Sequence, residues 1–261
     1  TGKVNATGSA SRKPRDRNDQ RGNQPGVPLP DLSTADEVSD STIDPPRVPK
    51  ILEYLNQYHY ASRDHVIWSL VWHTGARLGA VRALDLRDCQ LEGEKPGLNF
   101  VHRAPATPLK NNIEGERFNR ISQRVAQTLQ DYIDGPRHDV TDENGREPLL
   151  TTSHGRPAAS TVRDILYRVT RPCWRGAGCP HEDRDPETCE ATNITKASQC
   201  PSSRSPHDVR SGRVTYYRQN DTPRRIVEDR LNASEDVLDK HYDRRSERLC
   251  AEQRSEHLPD I

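Results

Sequence analysis

Methionine is missing from all 261 residues, position 1 included. The expectation is a processed or excised piece of a longer chain, with function divided between it and a missing region. Large apolar side chains are scarce, with two phenylalanines and 5% aromatic residues. Hydrophobic residues reach only 31% against 30% charged, and mean hydropathy is −0.99. A chain this polar is not expected to fold from end to end, so long solvated segments should be present. No apolar run approaches the roughly 18 residues of a membrane span, and no secretory leader opens the chain. A cytoplasmic protein without a membrane partner is expected. Charge of one sign is lacking too, since 39 Lys and Arg balance 39 Asp and Glu. A nucleic-acid partner would therefore require basic residues gathered locally in space. The six cysteines, with no leader, point to thiols or metal ligands rather than a disulfide framework.

Residues 1–46 carry Gly, Ser, Asn, Pro and charges with almost no aromatic residue, and read as a disordered segment closed by Pro45-Pro46. Val48, Ile51, Leu52, Leu55 and Tyr58 then recur at helical spacing. A second, buried helix is expected from an N-cap at Ser62 to Thr74, with Gly75 in the left-handed position beyond it. Arg77 follows at once, ahead of a short helix through Val81 and Leu84. The period changes between Asp88 and Asn119. Leu98 to His102 alternates, and Glu116 to Ile121 can pair with it across a connection that holds Lys110. Helices are expected from Ser122, from Ala158 to Thr170, from His207 to Gln219, from Pro223, and from Ser234 to about Glu252. Residues 171–206 form an aperiodic insert with Cys173, Cys179, Cys189 and Cys200.

The chain thus offers Arg77, Lys110, the pair His207 and Arg210 one helical turn apart, and Tyr242. Breaking a phosphodiester without a metal needs a nucleophile, cations on the non-bridging oxygens, and an acid for the leaving oxygen. Arginine suits the second role, because its planar fork meets two phosphate oxygens at once. Tyr216 and Tyr217 are alternative nucleophiles, but their helical placement suggests core packing.

This set resembles the catalytic domain of the tyrosine recombinases, or phage-type integrases, over about residues 48–250. Thr74, Gly75, Arg77 and Leu84 match the pattern around their first arginine. His207-Asp208-Val209-Arg210 matches H-x-x-R. Leu231-Asn232-Ala233 takes the place of L-G-H, with Tyr242 nine residues later. Lys110 corresponds to the family lysine on a β-hairpin. HDVRSG, DVLDKHYDRR and the cysteine insert look most like integrases of haloarchaea and their viruses. The resemblance implies an α+β, mainly helical catalytic domain with a small antiparallel sheet over residues 47–255, the insert at 171–206 and a tail at 256–261. It implies site-specific DNA cleavage and rejoining through a 3′-phosphotyrosine on Tyr242. Arg77 and Arg210 would clamp the phosphate, His207 would hydrogen-bond it, and Lys110 would protonate the leaving oxygen. No cofactor serves this chemistry. The partners implied are double-stranded DNA attachment sites and a homotetramer on DNA, with a monomer when free.

Two positions depart from the pattern. Ala80 stands where an acid is usual, so Arg77 needs other support. Ala233 stands where a His or Trp donor is usual, and His241 is the candidate replacement. The four cysteines of the insert fit either one structural zinc site, with His181 as a substitute ligand, or four reduced thiols. Arg224, Arg225, Arg244 and Arg245 fit either phosphate contacts or solvated helix faces. A silent, zinc-stabilised DNA-binding regulator and a type IB topoisomerase-like enzyme are the alternatives to a recombinase.

Overall fold

The computed structural model describes residue 1, residues 41–234 and 236–238, and residues 251 and 255. Most of the expected N-terminal segment lies outside the described residues, as do Tyr242, His241, Arg244 and Arg245. Ordered packing nevertheless begins before the expected boundary at 46. Ile43 is fully buried, and its amide donates to the Asp208 carbonyl at 3.1 Å. Ser41 Oγ donates to the Asp208 carboxylate at 2.5 Å. Gly212 makes room for this strap, since a Cβ there would lie 2.4 Å from the Ile43 carbonyl oxygen. A single apolar residue among polar ones is too weak a signal to read from sequence.

Helix α1 (Arg47–Tyr58) buries Val48, Ile51 and Leu55 along one face. Helix α2 (Arg63–Thr74) is the axis of the core. Val66, Ile67, Trp68, Leu70 and Val71 are all fully buried, so every side of the helix meets protein. Ser62 caps it by accepting from the His65 amide, and Gly75 ends it at φ +63°. Helix α3 (Leu78–Ala83) follows with Arg77 as its N-cap. Around α2 pack α1, α3, α4 (Gln123–Asp134), α5 (Ala159–Thr170) and α6 (Pro206–Gln219). Helix α7 (Arg224–Leu231) closes a smaller cluster of Val214, Tyr217, Val227, Leu231 and Leu238. Each of these helices falls within about a residue of its expected place. Among the described residues no helix is long and apolar enough to cross a membrane.

The sheet is antiparallel and has three strands, β1 (Cys89–Gln90), β2 (Gly97–Phe100) and β3 (Arg117–Arg120), in that order. Leu98 pairs with Asn119 and Phe100 with Arg117. Two residues carry no alternation, which is why β1 is not evident in the sequence.

A buried ionic knot fixes residues 141–156 beneath α3. Arg156 donates to the Asp142 carboxylate at 2.9 Å, to the Arg82 and Leu84 carbonyls, and to Asp85. Arg103 forks onto Asp88 at 2.8 and 2.5 Å. Paired guanidiniums satisfy carboxylates that would be costly to bury alone.

The cysteine insert forms no assembled metal site among the described residues. Cys173, Cys179, Cys189 and Cys200 are not assembled, and no group of three or more His, Cys, Asp or Glu among the described residues could hold a metal ion. Instead the chain folds as successive short 3₁₀ turns at Cys173–Arg175, Glu190–Thr192 and Ile194–Gln199 that scatter the thiols. His181 lies 3.9 Å from Cys200 Sγ and meets Ser202 Oγ at 3.0 Å. Polypeptide contacts order the insert, with Ala191 and Ala197 buried and Arg171 donating to the Ala191 carbonyl.

Two consequences are measurable. At Gly75 a side chain would meet Leu231 Cδ2 at 2.2 Å in a left-handed backbone. Gly75→Ala should therefore lower unfolding free energy by about 2 kcal/mol or more in denaturant titration, since strain and overpacking add. Burial alone would raise the Asp142 carboxyl. Hydrogen bonds from the Arg146 and Asn144 amides and from the Arg156 and Arg146 guanidiniums more than offset that, and hold it down at about 2 against an ordinary 3.8. A carboxylate depressed on folding stabilises fully above its unfolded value and loses that contribution as pH falls through its folded value. The melting-temperature gap between the parent and Asp142→Asn should thus be widest above pH 4 and close towards pH 2.

Candidate phosphate-binding site

Four of the residues singled out from sequence meet at one cavity of about 410 Å³, lined by Arg77, Lys110, His207 and Arg210 together with Arg163 and Tyr167. They arrive from separate parts of the fold. Arg77 is delivered by the turn after α2, where Gly75 reverses the chain and α3 begins. His207 and Arg210 lie on the first turns of α6. There the Ser205 hydroxyl accepts from the Asp208 amide, the Asp208 carboxylate accepts from the Ser205 amide, and Pro206 opens the helix. Asp208 within H-x-x-R is therefore a capping residue. Lys110 stands exposed on the connection between β2 and β3. The fifth residue, Tyr242, lies outside the described residues.

The arginines are held by main-chain carbonyls. Arg210, only 2% exposed, donates to the Gly75 carbonyl at 2.5 Å and the Leu231 carbonyl at 3.0 Å. Arg77 donates to the Asn232 carbonyl at 3.0 Å, which answers the lack of an acid at Ala80. Arg117 on β3 donates to the Arg230 and Gly115 carbonyls and stacks over Phe100 at 4.4 Å. Arg230 in turn donates to the His73 and Arg120 carbonyls and to the Tyr217 hydroxyl. Arg77, Arg117 and Arg230 meet no carboxylate among the described residues. Among those residues their charges are oriented yet not neutralised. Burial, and then the charges of Arg210, Arg77 and Arg230, push Arg117 down to about 10. Such crowding of like charge favours an anion in the cavity.

A second cavity, of about 260 Å³, continues the site past Lys110 and is lined by Arg77, Ala80, Leu109, Arg117 and Asn232 among others. Arg117, Asn232, Arg163 and Tyr167 are additions to the residues that sequence reasoning singles out. Arg163 and Tyr167 are four apart on the polar side of an amphipathic helix, a pattern indistinguishable in sequence from a solvated face. Arg224 and Arg225 are exposed. Tyr217 is buried as expected, whereas Tyr216 is 38% exposed, edge-on to Trp72 rather than in the core. Cys89 is half-buried, and desolvation of its thiol, with the charges of Asp88 and Asp85, pushes it up to about 12, which disfavours the thiolate.

No protein-family model and no curated protein sequence matches this chain. Solved structures do. The XerA recombinase superposes with a TM-score of 0.57 at 17% identity, over 84% of this chain and 64% of that one. The XerH site-specific recombinase bound to difH in a pre-cleavage complex gives 0.54 at 12% identity, over 84% and 55%. The Tn1549 transposon integrase in complex with transposon right-end DNA gives 0.55 at 15% identity, over 87% and 70%. The chain thus spans less than two thirds of the XerA and XerH chains. At these identities the likeness establishes architecture: the α+β, mainly helical chain with its small antiparallel sheet has the fold of the tyrosine recombinase and integrase structures.

Proposed function

We propose that this chain cleaves and rejoins DNA strands at specific sites through a 3′-phosphotyrosine on Tyr242. The convergence of Arg77, Lys110, His207 and Arg210 on one cavity carries the reading. Residues so far apart in sequence have no packing reason to present their cationic ends to a common space. A phosphodiester supplies the anion that such a space favours.

In the proposed reaction the Tyr242 oxygen attacks phosphorus, and the bond to the 5′ oxygen breaks. Arg77 and Arg210 bind the non-bridging oxygens, where charge develops in the transition state. Their orientation is set in advance by the carbonyls that hold them. His207, exposed at the start of α6, hydrogen-bonds the phosphate and assists proton movement. Lys110 gives a proton to the departing 5′ oxygen, so that a hydroxyl leaves. The phosphodiester energy is kept in the protein–DNA bond. Attack by another 5′ hydroxyl reverses the step and restores Tyr242, with no nucleotide cofactor. The partner is double-stranded DNA, bound by a tetramer that assembles on it from free monomers. Likeness of HDVRSG, DVLDKHYDRR and the cysteine-bearing insert to haloarchaeal integrases extends the proposal to that branch.

Incubation with a pool of nicked duplexes of randomised sequence should trap a covalent adduct, and peptide mapping should place it on Tyr242. Tyr242→Phe should abolish the adduct and leave DNA binding intact; adducts persisting in that variant would sink the assignment. Recombination of paired selected sites, against simple relaxation of supercoils, separates a recombinase from a topoisomerase. Arg163, on the cavity wall, is expected to meet a backbone phosphate. Arg163→Ala should weaken binding and reduce the slope of log affinity against log salt by about one, read by fluorescence anisotropy. An unchanged slope removes Arg163 from the interface.

A further inference from the structure

We propose that Asn232 is a positioning residue, latching the Lys110-bearing loop to the end of α7 and so presetting the general acid. The inference rests on the reading of the cavity as a strand-cleavage site.

Asn232 ends α7 in the left-handed conformation, at φ 49° and ψ 62°. Glycine adopts that conformation without strain, and asparagine is the next most tolerant residue. If conformation were the only demand, a side chain here would bring nothing. This one makes two bonds across to the β2–β3 connection. Its Nδ2 donates to the Glu114 carbonyl at 2.8 Å, and its Oδ1 accepts from Asn111 Nδ2 at 2.5 Å. Asn111 directly follows Lys110, and Glu114 lies in the 3₁₀ turn Asn112–Gly115. The Asn232 carbonyl meanwhile receives Arg77. One residue therefore joins the first phosphate arginine, the lysine loop and the start of the segment that leads to Tyr242.

The loop needs such a tie. It runs from residue 101 to 116 between paired strands, long for a hairpin connection, and Lys110 is exposed on it. A lysine ammonium is a point charge on a flexible stem, so its aim depends on its backbone. Misplacement by about 1 Å at a reacting centre costs on the order of a hundredfold in rate. The two amide bonds hold the stretch just after Lys110 against the end of α7, while Ala233 next door offers no donor of its own.

Asn232→Gly keeps the left-handed turn and the carbonyl that holds Arg77 and removes only the latch. Asn111→Ala cuts one of its two bonds from the opposite side. Both variants are to be compared with the parent in two measurements. The first is hydrogen exchange of residues 101–116. The second is single-turnover cleavage of a nicked duplex, selected for adduct formation from the randomised pool, carrying either oxygen or sulfur at the scissile 5′ position. A thiolate leaves without protonation, because thiols ionise near pH 8.5. With oxygen, both variants should slow cleavage by about ten- to a hundredfold, a part of the ~10²–10⁴-fold typical of general acid catalysis. With sulfur, the loss should shrink to less than about twofold, and exchange in the loop should rise in both variants. Unchanged exchange overturns the latch. Equal slowing on both substrates, or none on either, overturns its action through Lys110. A parent chain that forms no adduct with either substrate overturns the cleavage reading itself, and hydrogen exchange then decides the latch without it.

Discussion

The site depends on guanidinium groups held by main-chain carbonyls. A carboxylate partner would fix an arginine equally well, but it would cancel the charge and close the fork to an incoming anion. A carbonyl dipole orients the group and leaves the net charge in place. Carbonyls suited to this occur where helices stop. Gly75 and Asn232 are the caps of α2 and α7, and Leu231 is the last residue of α7. Their oxygens lie in the last turn or just beyond, where intrahelical partners run out. Arg210 thus satisfies two helix ends while being held by them. The fold is arranged so that two C-terminal ends and one N-terminal end, that of α6, converge on one point.

Helices are the most legible part of the sequence. Ser62 caps as its hydroxyl predicts, a helix follows Ser122, and Gly75 is left-handed as its place after Thr74 requires. Strand β2 is visible in the alternation from Leu98, whereas β3 turns Asn119 inward and leaves Phe118 exposed, against the hydrophobic pattern. What is not legible is set by contacts distant in sequence. The burial of Ile43 depends on a glycine in α6, and β1 exists only because β2 lies beside it. The insert shows the limit most clearly. Four thiols in an aperiodic stretch suggest a metal, but the residues between them form enough turns and apolar contacts to order the chain otherwise.

The candidate site divides in the same way. Arg77, Lys110, His207 and Arg210 carry patterns that sequence can register, because their spacing reflects local structure: a turn, a hairpin, one helical turn. Arg117, Asn232 and Arg163 have no local signature. Arg117 is one of two arginines on a four-residue strand, and only the fold places it beside Arg77 and Arg210. The departure at Ala80 is likewise understood only in three dimensions, where the carbonyl of Asn232 supports Arg77 in place of an acid.

The Ser41–Ile43 strap bears on the order of assembly during synthesis. Its partners, Asp208 and Gly212, emerge from the ribosome more than 160 residues later, and the Asn232 carbonyl that receives Arg77 emerges later still. The α1–α2 core can collapse early, since its contacts are near in sequence, but Ile43 stays uncovered until α6 is complete. The positively charged cavity is therefore finished last. A nascent chain cannot present this cavity before nearly the whole described fold has been made.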